Sequence, residues 1–151
     1  MKVVISLGSN LGDREENLES AVTELNKLVR VTHLSTFYET DPVGGPQQPD
    51  YLNAVLIAES ELAPEELLEE VMAIEAGLGR VRLERFGPRT IDIDLITIDD
   101  LEIKSIRLEI PHPRAHERAF VLEPWLEIDP EARIPGRGQV SALLAQLSDS
   151  E

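Results

Sequence analysis

Thr90 to Ile98 reads Thr-Ile-Asp-Ile-Asp-Leu-Ile-Thr-Ile. Ile91, Ile93 and Leu95 fall on one side and Asp92 and Asp94 on the other, the alternation of a strand with one buried face. Upstream, Pro64 suits the first turn of a helix whose buried stripe is Leu67, Leu68, Val71, Met72, Ile74 and Leu78, closed by Gly77 and Gly79. Before that helix, the largely apolar run Tyr51 to Glu59 predicts a central strand, with Asn53 as its polar exception. Val31 to Thr40, rich in β-branched and aromatic residues, predicts another strand. Between the two, Asp41 to Pro49 holds three prolines and two glycines, a loop long enough to suggest function. At the start, Val3, Val4, Ile5 and Leu7 form a strand that stops at Gly8-Ser9-Asn10-Leu11-Gly12. A helix then begins at an Asp13 N-cap, with Glu16 placed for a capping box, and ends near Val29. The succession is β-α-β-β-α-β, so the expected class is α+β: a ferredoxin-like core with helices packed on an antiparallel sheet. Residues 99–151 add a C-terminal hairpin around Asp99-Asp100, a Pro-His-Pro turn and short helices over Ala115 to Leu122 and Val140 to Leu147.

The chain has 151 residues, the length of one domain, and a single domain over 1–151 is expected. Its net charge of -15 argues against gripping nucleic acid or an anionic membrane by bulk attraction. The absence of cysteine excludes disulfides, thiolate zinc sites and cysteine nucleophiles. No apolar run reaches the roughly 20 residues of a membrane helix, and Met1 to Ser9 lacks a signal-peptide pattern, so a cytoplasmic, unprocessed protein is expected.

The charge is unevenly spread. Residues 80–118 carry eight basic and eight acidic side chains, and the entire excess of acid lies elsewhere. Within that neutral stretch, Asp92 and Asp94 project to one side of their strand, roughly 7 Å apart. Two facing carboxylates call for a cation, and magnesium, a hard ion that takes carboxylate and phosphate oxygens, fits best. Taken alone, an Asp-x-Asp is more simply the solvated face of a strand. The flanking arginines change that reading: Arg80, Arg82, Arg85 and Arg89 precede it, and Arg107, His112, Arg114, His116 and Arg118 follow. Arginine forks match phosphate oxygens, and cations around metal-binding carboxylates make a polyphosphate site. Gly87-Pro88 suggests a loop able to close on a nucleotide. Asn53 in an apolar strand needs hydrogen-bond partners, which the edge of a planar heterocycle could supply. Tyr51 and Phe120 suit either core packing or ring stacking, and Trp125 suits packing. Neither of the common glycine-rich phosphate loops is present, and Gly8 to Gly12 reads as a turn and helix start.

These residues stand in longer motifs: GSNLGD at Gly8 to Asp13, FYETDPVG at Phe37 to Gly44, QPDYLNAV at Gln48 to Val55, GRVR at Gly79 to Arg82, RFGPRTIDIDL at Arg85 to Leu95 and IPHPRAHERAFVLEP at Ile110 to Pro124. In order and over nearly the whole chain, they resemble the 6-hydroxymethyl-7,8-dihydropterin pyrophosphokinases. The resemblance implies a folate-pathway enzyme that transfers diphosphate from ATP to a pterin alcohol and releases AMP. It further implies that Asp92 and Asp94 hold two magnesium ions, with Arg80 and Arg89 beside them in catalysis. Glu75, Arg80, Arg82, Arg89, Arg107, His112 and Arg118 would contact ATP. Tyr51 and Phe120 would sandwich the pterin, while Thr40, Val43, Gly44, Gln48 and Asn53 would meet its edge. A monomer with two small-molecule substrates is expected. The rival from another class is a non-catalytic ferredoxin-like module that binds a ligand and regulates a partner. Such a module would not need the aspartate pair.

Overall fold

The computed structural model describes residues 1–40, 50–78 and 90–149. In chain order, β1 (Lys2–Ser9), α1 (Arg14–Leu25), β2 (Arg30–Leu34), β3 (Tyr38–Thr40), β4 (Tyr51–Glu59), α2 (Pro64–Gly77) and β5 (Asp92–Ile98) build one antiparallel sheet with its covering helices. The sheet order is β2-β4-β1-β5, with β3 also paired to β4. β1 is buried from Val3 onward because both neighbours and both faces cover it. The expected succession of strands and helices is therefore present, with β4 at the predicted bounds.

Capping explains where the helices begin. Asp13 accepts a hydrogen bond from the Glu16 amide at 3.1 Å, and Pro64 opens α2 while the Glu66 carboxylate accepts from the Ala63 amide at 3.2 Å. α1 stops at Leu25 rather than near Val29. Asn26 follows as the cap, its side-chain oxygen accepting from the Val31 amide at 3.2 Å and turning the chain into β2. The strand expected over Val31 to Thr40 is two strands. At the break, the Ser35 hydroxyl accepts from the Val55 amide at 3.0 Å, taking the place a backbone carbonyl would hold in a continuous ladder.

β6 (Ile103–Lys104) and β7 (Glu109–Ile110) form a hairpin closed by the Ser105 amide on the Leu108 carbonyl at 3.0 Å. The hairpin is thus centred on Ser105 to Leu108 and not on Asp99-Asp100. There the chain only turns, with Asp99 at φ 48° and its carboxylate accepting from the Lys2 amide at 2.7 Å. The helix expected over Ala115 to Leu122 divides at Arg118, whose extended backbone separates a single 3-10 turn (Ala115–Glu117) from α3 (Ala119–Ile128). A second hairpin, β8 (Arg133–Ile134) with β9 (Gly138–Gln139), precedes α4 (Val140–Asp149).

Two cores result. Val3, Ile5, Leu7, Leu56, Ile93 and Leu95 bury beneath α1 and α2, joined there by Leu18, Leu25, Leu67 and Val71. On the opposite face, Val4, Val55, Ile57 and Ile96 meet Val121, Leu122, Trp125, Val140 and Leu143 from α3 and α4. Trp125 is 2% exposed, in keeping with its expected packing role. A bulge lets β5 serve both cores: Val4 pairs with Thr97 and Ile5 with Leu95, so Ile96 is an extra residue placed on the α3 side. No helix among the described residues is long and apolar enough to cross a membrane.

Candidate active site

The pairing of three strands defines the site. Gly8 of β1 pairs with Asn53 of β4 on one side and with Asp92 of β5 on the other. The next rung on that face joins Val55, Ser6 and Asp94. Asn53 and Asp92 therefore lie two strand spacings apart, about 10 Å, with only a glycine between them. A Cβ at Gly8 would stand 3.0 Å from Asn53 Oδ1 and 3.4 Å from Tyr51 Cδ1, so a side chain there would press on the Asn53 amide and touch the Tyr51 ring. Tyr51 shares the face of Asn53, and its hydroxyl lies 3.5 Å from Asp92 Oδ2. The Asn53 amide is buried and donates from Nδ2 to the Thr40 hydroxyl, tying β3 to β4 above the Gly8 rung.

The aspartates are half-buried while Ile91, Ile93 and Leu95 between and beside them are buried, as the alternation predicts. β5 is an edge strand, so its outward amides need other partners. Glu75 of α2 supplies one, its carboxylate accepting from the Ile93 amide at 2.8 Å, between the two aspartates. His112 ties an outward carbonyl of the strand, donating its backbone amide to Ile96 at 2.8 Å. Its ring Nδ1 accepts from the Arg114 amide at 3.2 Å, which assigns the proton of the neutral ring to Nε2. Burial holds the His112 imidazole below its ordinary pKa; the Asp94 carboxylate opposes that and the Arg118 guanidinium reinforces it. Arg118 lies over the Phe120 ring at 5.6 Å from its centroid, and Phe120 packs partly buried on the second core.

The structure thus brings Thr40, Tyr51, Asn53, Asp92, Asp94 and His112 to one region of the sheet, with Glu75 behind the aspartates. Arg107 differs: it sits in the β6–β7 turn, half exposed, paired with Glu69 of α2 at 3.2 Å. Arg80, Arg82 and Arg89, and Val43, Gly44 and Gln48, lie outside the described residues. The sequence pattern places Gly8 in a turn, yet it lies inside β1 at the centre of the site; only strand register reveals that. The face offers two carboxylates and, among the described residues, no group of three or more His, Cys, Asp or Glu side chains able to hold a metal. A donor set of that kind suits a hard divalent ion whose remaining ligands come from phosphate and water.

Residues 4–130 match the family described as 7,8-dihydro-6-hydroxymethylpterin-pyrophosphokinase (HPPK). The 2-amino-4-hydroxy-6-hydroxymethyldihydropteridine pyrophosphokinase of Bacillus subtilis is 48% identical over 126 residues, covering 82% of this chain and 75% of its own. The enzyme of that name from Haemophilus influenzae is 42% identical over 148 residues, covering 96% and 92%. Among solved structures, wild-type HPPK-DHPS of Plasmodium falciparum superposes with a TM-score of 0.77 at 15% identity, covering 96% of this chain. The chain spans 44% of that longer protein, and the likeness carries the fold.

Proposed function

The chain belongs to the 7,8-dihydro-6-hydroxymethylpterin-pyrophosphokinase family, and we infer that it transfers diphosphate to the hydroxymethyl group of a 6-hydroxymethyl-7,8-dihydropterin in folate biosynthesis. ATP is the donor and AMP the second product in this reading. The observation that carries it is the Asn53–Gly8–Asp92 row, in which a group suited to a heterocycle edge faces a group suited to a phosphate-bound cation.

Each residue has a role in that reading. Asn53 and Thr40 present amide and hydroxyl groups to the pterin edge, with Tyr51 and Phe120 as its ring partners, and Val43, Gly44 and Gln48 join them. Gly8, having no side chain, lets the Asn53 amide and the Tyr51 ring pack close over β1, between the pterin side and the phosphate side. Asp92 and Asp94 would hold magnesium, taken as two ions, which when bound neutralises phosphate charge and favours attack at the β-phosphorus. Glu75 fixes the backbone between those aspartates and so sets their aim. His112, neutral at pH 7, offers its Nε2 proton to a phosphate oxygen, and Arg118 offers its guanidinium. Arg80, Arg82, Arg89 and Arg107 complete the phosphate contacts, Arg107 by leaving Glu69. No side chain among the described residues is placed as an obvious general base, so positioning and charge stabilisation supply the rate. A net charge of -15 supports two small-molecule substrates rather than a nucleic-acid or membrane partner.

Purified protein supplied with ATP, magnesium and the dihydropterin should release AMP and the pterin diphosphate one for one. ADP formation, or AMP release that ignores the pterin, would contradict the reading.

A further inference from the structure

Arg14 opens α1, next to the Asp13 cap. A cation there opposes the helix dipole, which Glu15 and Glu16 in the same turn complement, so helix stability does not account for it. Its guanidinium reaches away from the helix. Nη1 lies 2.9 Å from the Glu39 carboxylate of β3 and donates to the Asp50 backbone carbonyl, just before β4, also at 2.9 Å. One nitrogen with two hydrogens thus grips both partners of a short ladder. That ladder has three pairs, Tyr38 with Asn53, Glu39 with Leu52 and Thr40 with Tyr51.

The mounting of Arg14 is itself braced. Asn17 donates to the Ser9 hydroxyl at 3.1 Å and to the Leu11 carbonyl at 2.8 Å, which fastens the start of α1 to the end of the central strand. β3, by contrast, pairs with β4 alone. A strand of three residues on a sheet edge is marginal without further support.

We propose that Arg14 is a positioning residue for the pterin-binding side of the site, clamping Glu39 and Asp50 so that Thr40, Tyr51 and Asn53 keep their register against β1. The inference rests on the proposed pterin reaction, but the clamp can be measured without it. Arg14 touches no substrate in this scheme; it acts through β3 and the start of β4.

The test uses the full chain with Arg14→Ala and Arg14→Lys, read by steady-state kinetics and by amide hydrogen exchange of the free protein. Losing an exposed pair together with a charged hydrogen bond should raise the KM for the dihydropterin about fivefold or more in Arg14→Ala. The KM for ATP and kcat should stay within twofold, and Arg14→Lys should recover part of the loss. Exchange at Tyr38 to Thr40 and Tyr51 to Asn53 should accelerate in Arg14→Ala while β1 and β5 stay protected. An unchanged pterin KM, or equal rises in both KM values, would overturn the proposal. Should the wild type show no pterin turnover, the proposed reaction falls, and exchange alone decides the clamp: local acceleration supports it and unchanged protection overturns it.

Discussion

The two faces of the sheet are made by the same strands and differ in what covers them. Toward α1 and α2, Val3, Ile5 and Leu7 of β1 and Ala54, Leu56 and Ala58 of β4 form a continuous apolar block, all fully buried. On the other face the rows begin the same way, with Val4, Val55, Ile57 and Ile96 beneath α3 and α4. They then change to Ser6, Gly8, Asn53, Asp92 and Asp94, of which only the two aspartates are more than slightly exposed. Stability and chemistry therefore occupy alternate positions of one backbone. Each site side chain inherits its aim from buried neighbours one residue away, which is how a sheet can hold carboxylates in place without a dedicated scaffold.

This contrast can be broken from either side. The largest expected effect is on the polar half: Asp92→Ala and Asp94→Ala should each lower kcat by about a thousandfold, roughly 4 kcal/mol of transition-state stabilisation. Thermal unfolding should shift little in either variant. Near-normal turnover would remove the aspartates from the chemistry. Next comes the apolar face, where Leu56→Ala should cost about 3 kcal/mol in denaturant unfolding through the cavity it leaves. Its pterin KM, measured well below the melting temperature, should remain close to wild type; a KM effect as large as its stability effect would show that the faces are not separable.

The smallest effect concerns the link between α3 and β3. Glu127 accepts from the Thr36 amide at 2.9 Å and from the hydroxyls of Thr36 and Tyr38, both at 2.7 Å. The Tyr38 hydrogen bond leads in holding the Glu127 carboxyl below its ordinary value, and the same bond leads in raising the Tyr38 phenol. The signs give opposite limbs. The Glu127 contribution is present above its unfolded pKa, near 4.5, and fades as pH falls through the lowered folded value. The Tyr38 contribution is present below 10.0 and fades as pH rises through the raised value. Tyr38→Phe should flatten both limbs of a stability–pH profile by a few tenths of a kcal/mol, the scale of a solvent-screened surface interaction. A profile identical to wild type would show that the contact contributes nothing.

Much of this was legible in the residues. Alternation in Thr90 to Ile98 separated the aspartates from the core, the uninterrupted apolar run marked β4, and Asp13 and Pro64 marked helix starts. What escaped was set by tertiary partners. Ser35 breaks an otherwise continuous β-rich run because its hydroxyl takes a rung on β4, and Asn26 ends α1 early because its amide serves β2. The bulge at Ile96 has no local signal, being imposed by two cores competing for one strand. At the site, strand pattern marked Asn53 and Asp92 separately, but the glycine joining them needs strand register. Arg14 gave no signal, since a charged residue at a helix start resembles any other solvated side chain.

In the proposed reaction, pterin and metal-bound phosphate meet across the Gly8 row. A crystal structure with magnesium, the dihydropterin and an ATP analogue whose α,β bridge cannot be cleaved tests it most directly. The pterin edge should lie against Asn53 and Thr40, with its hydroxymethyl oxygen directed across the Gly8 row and the phosphates reaching Asp92 and Asp94 through metal. A pterin bound away from the Asn53–Gly8–Asp92 row, or phosphates out of reach of both aspartates, would contradict it.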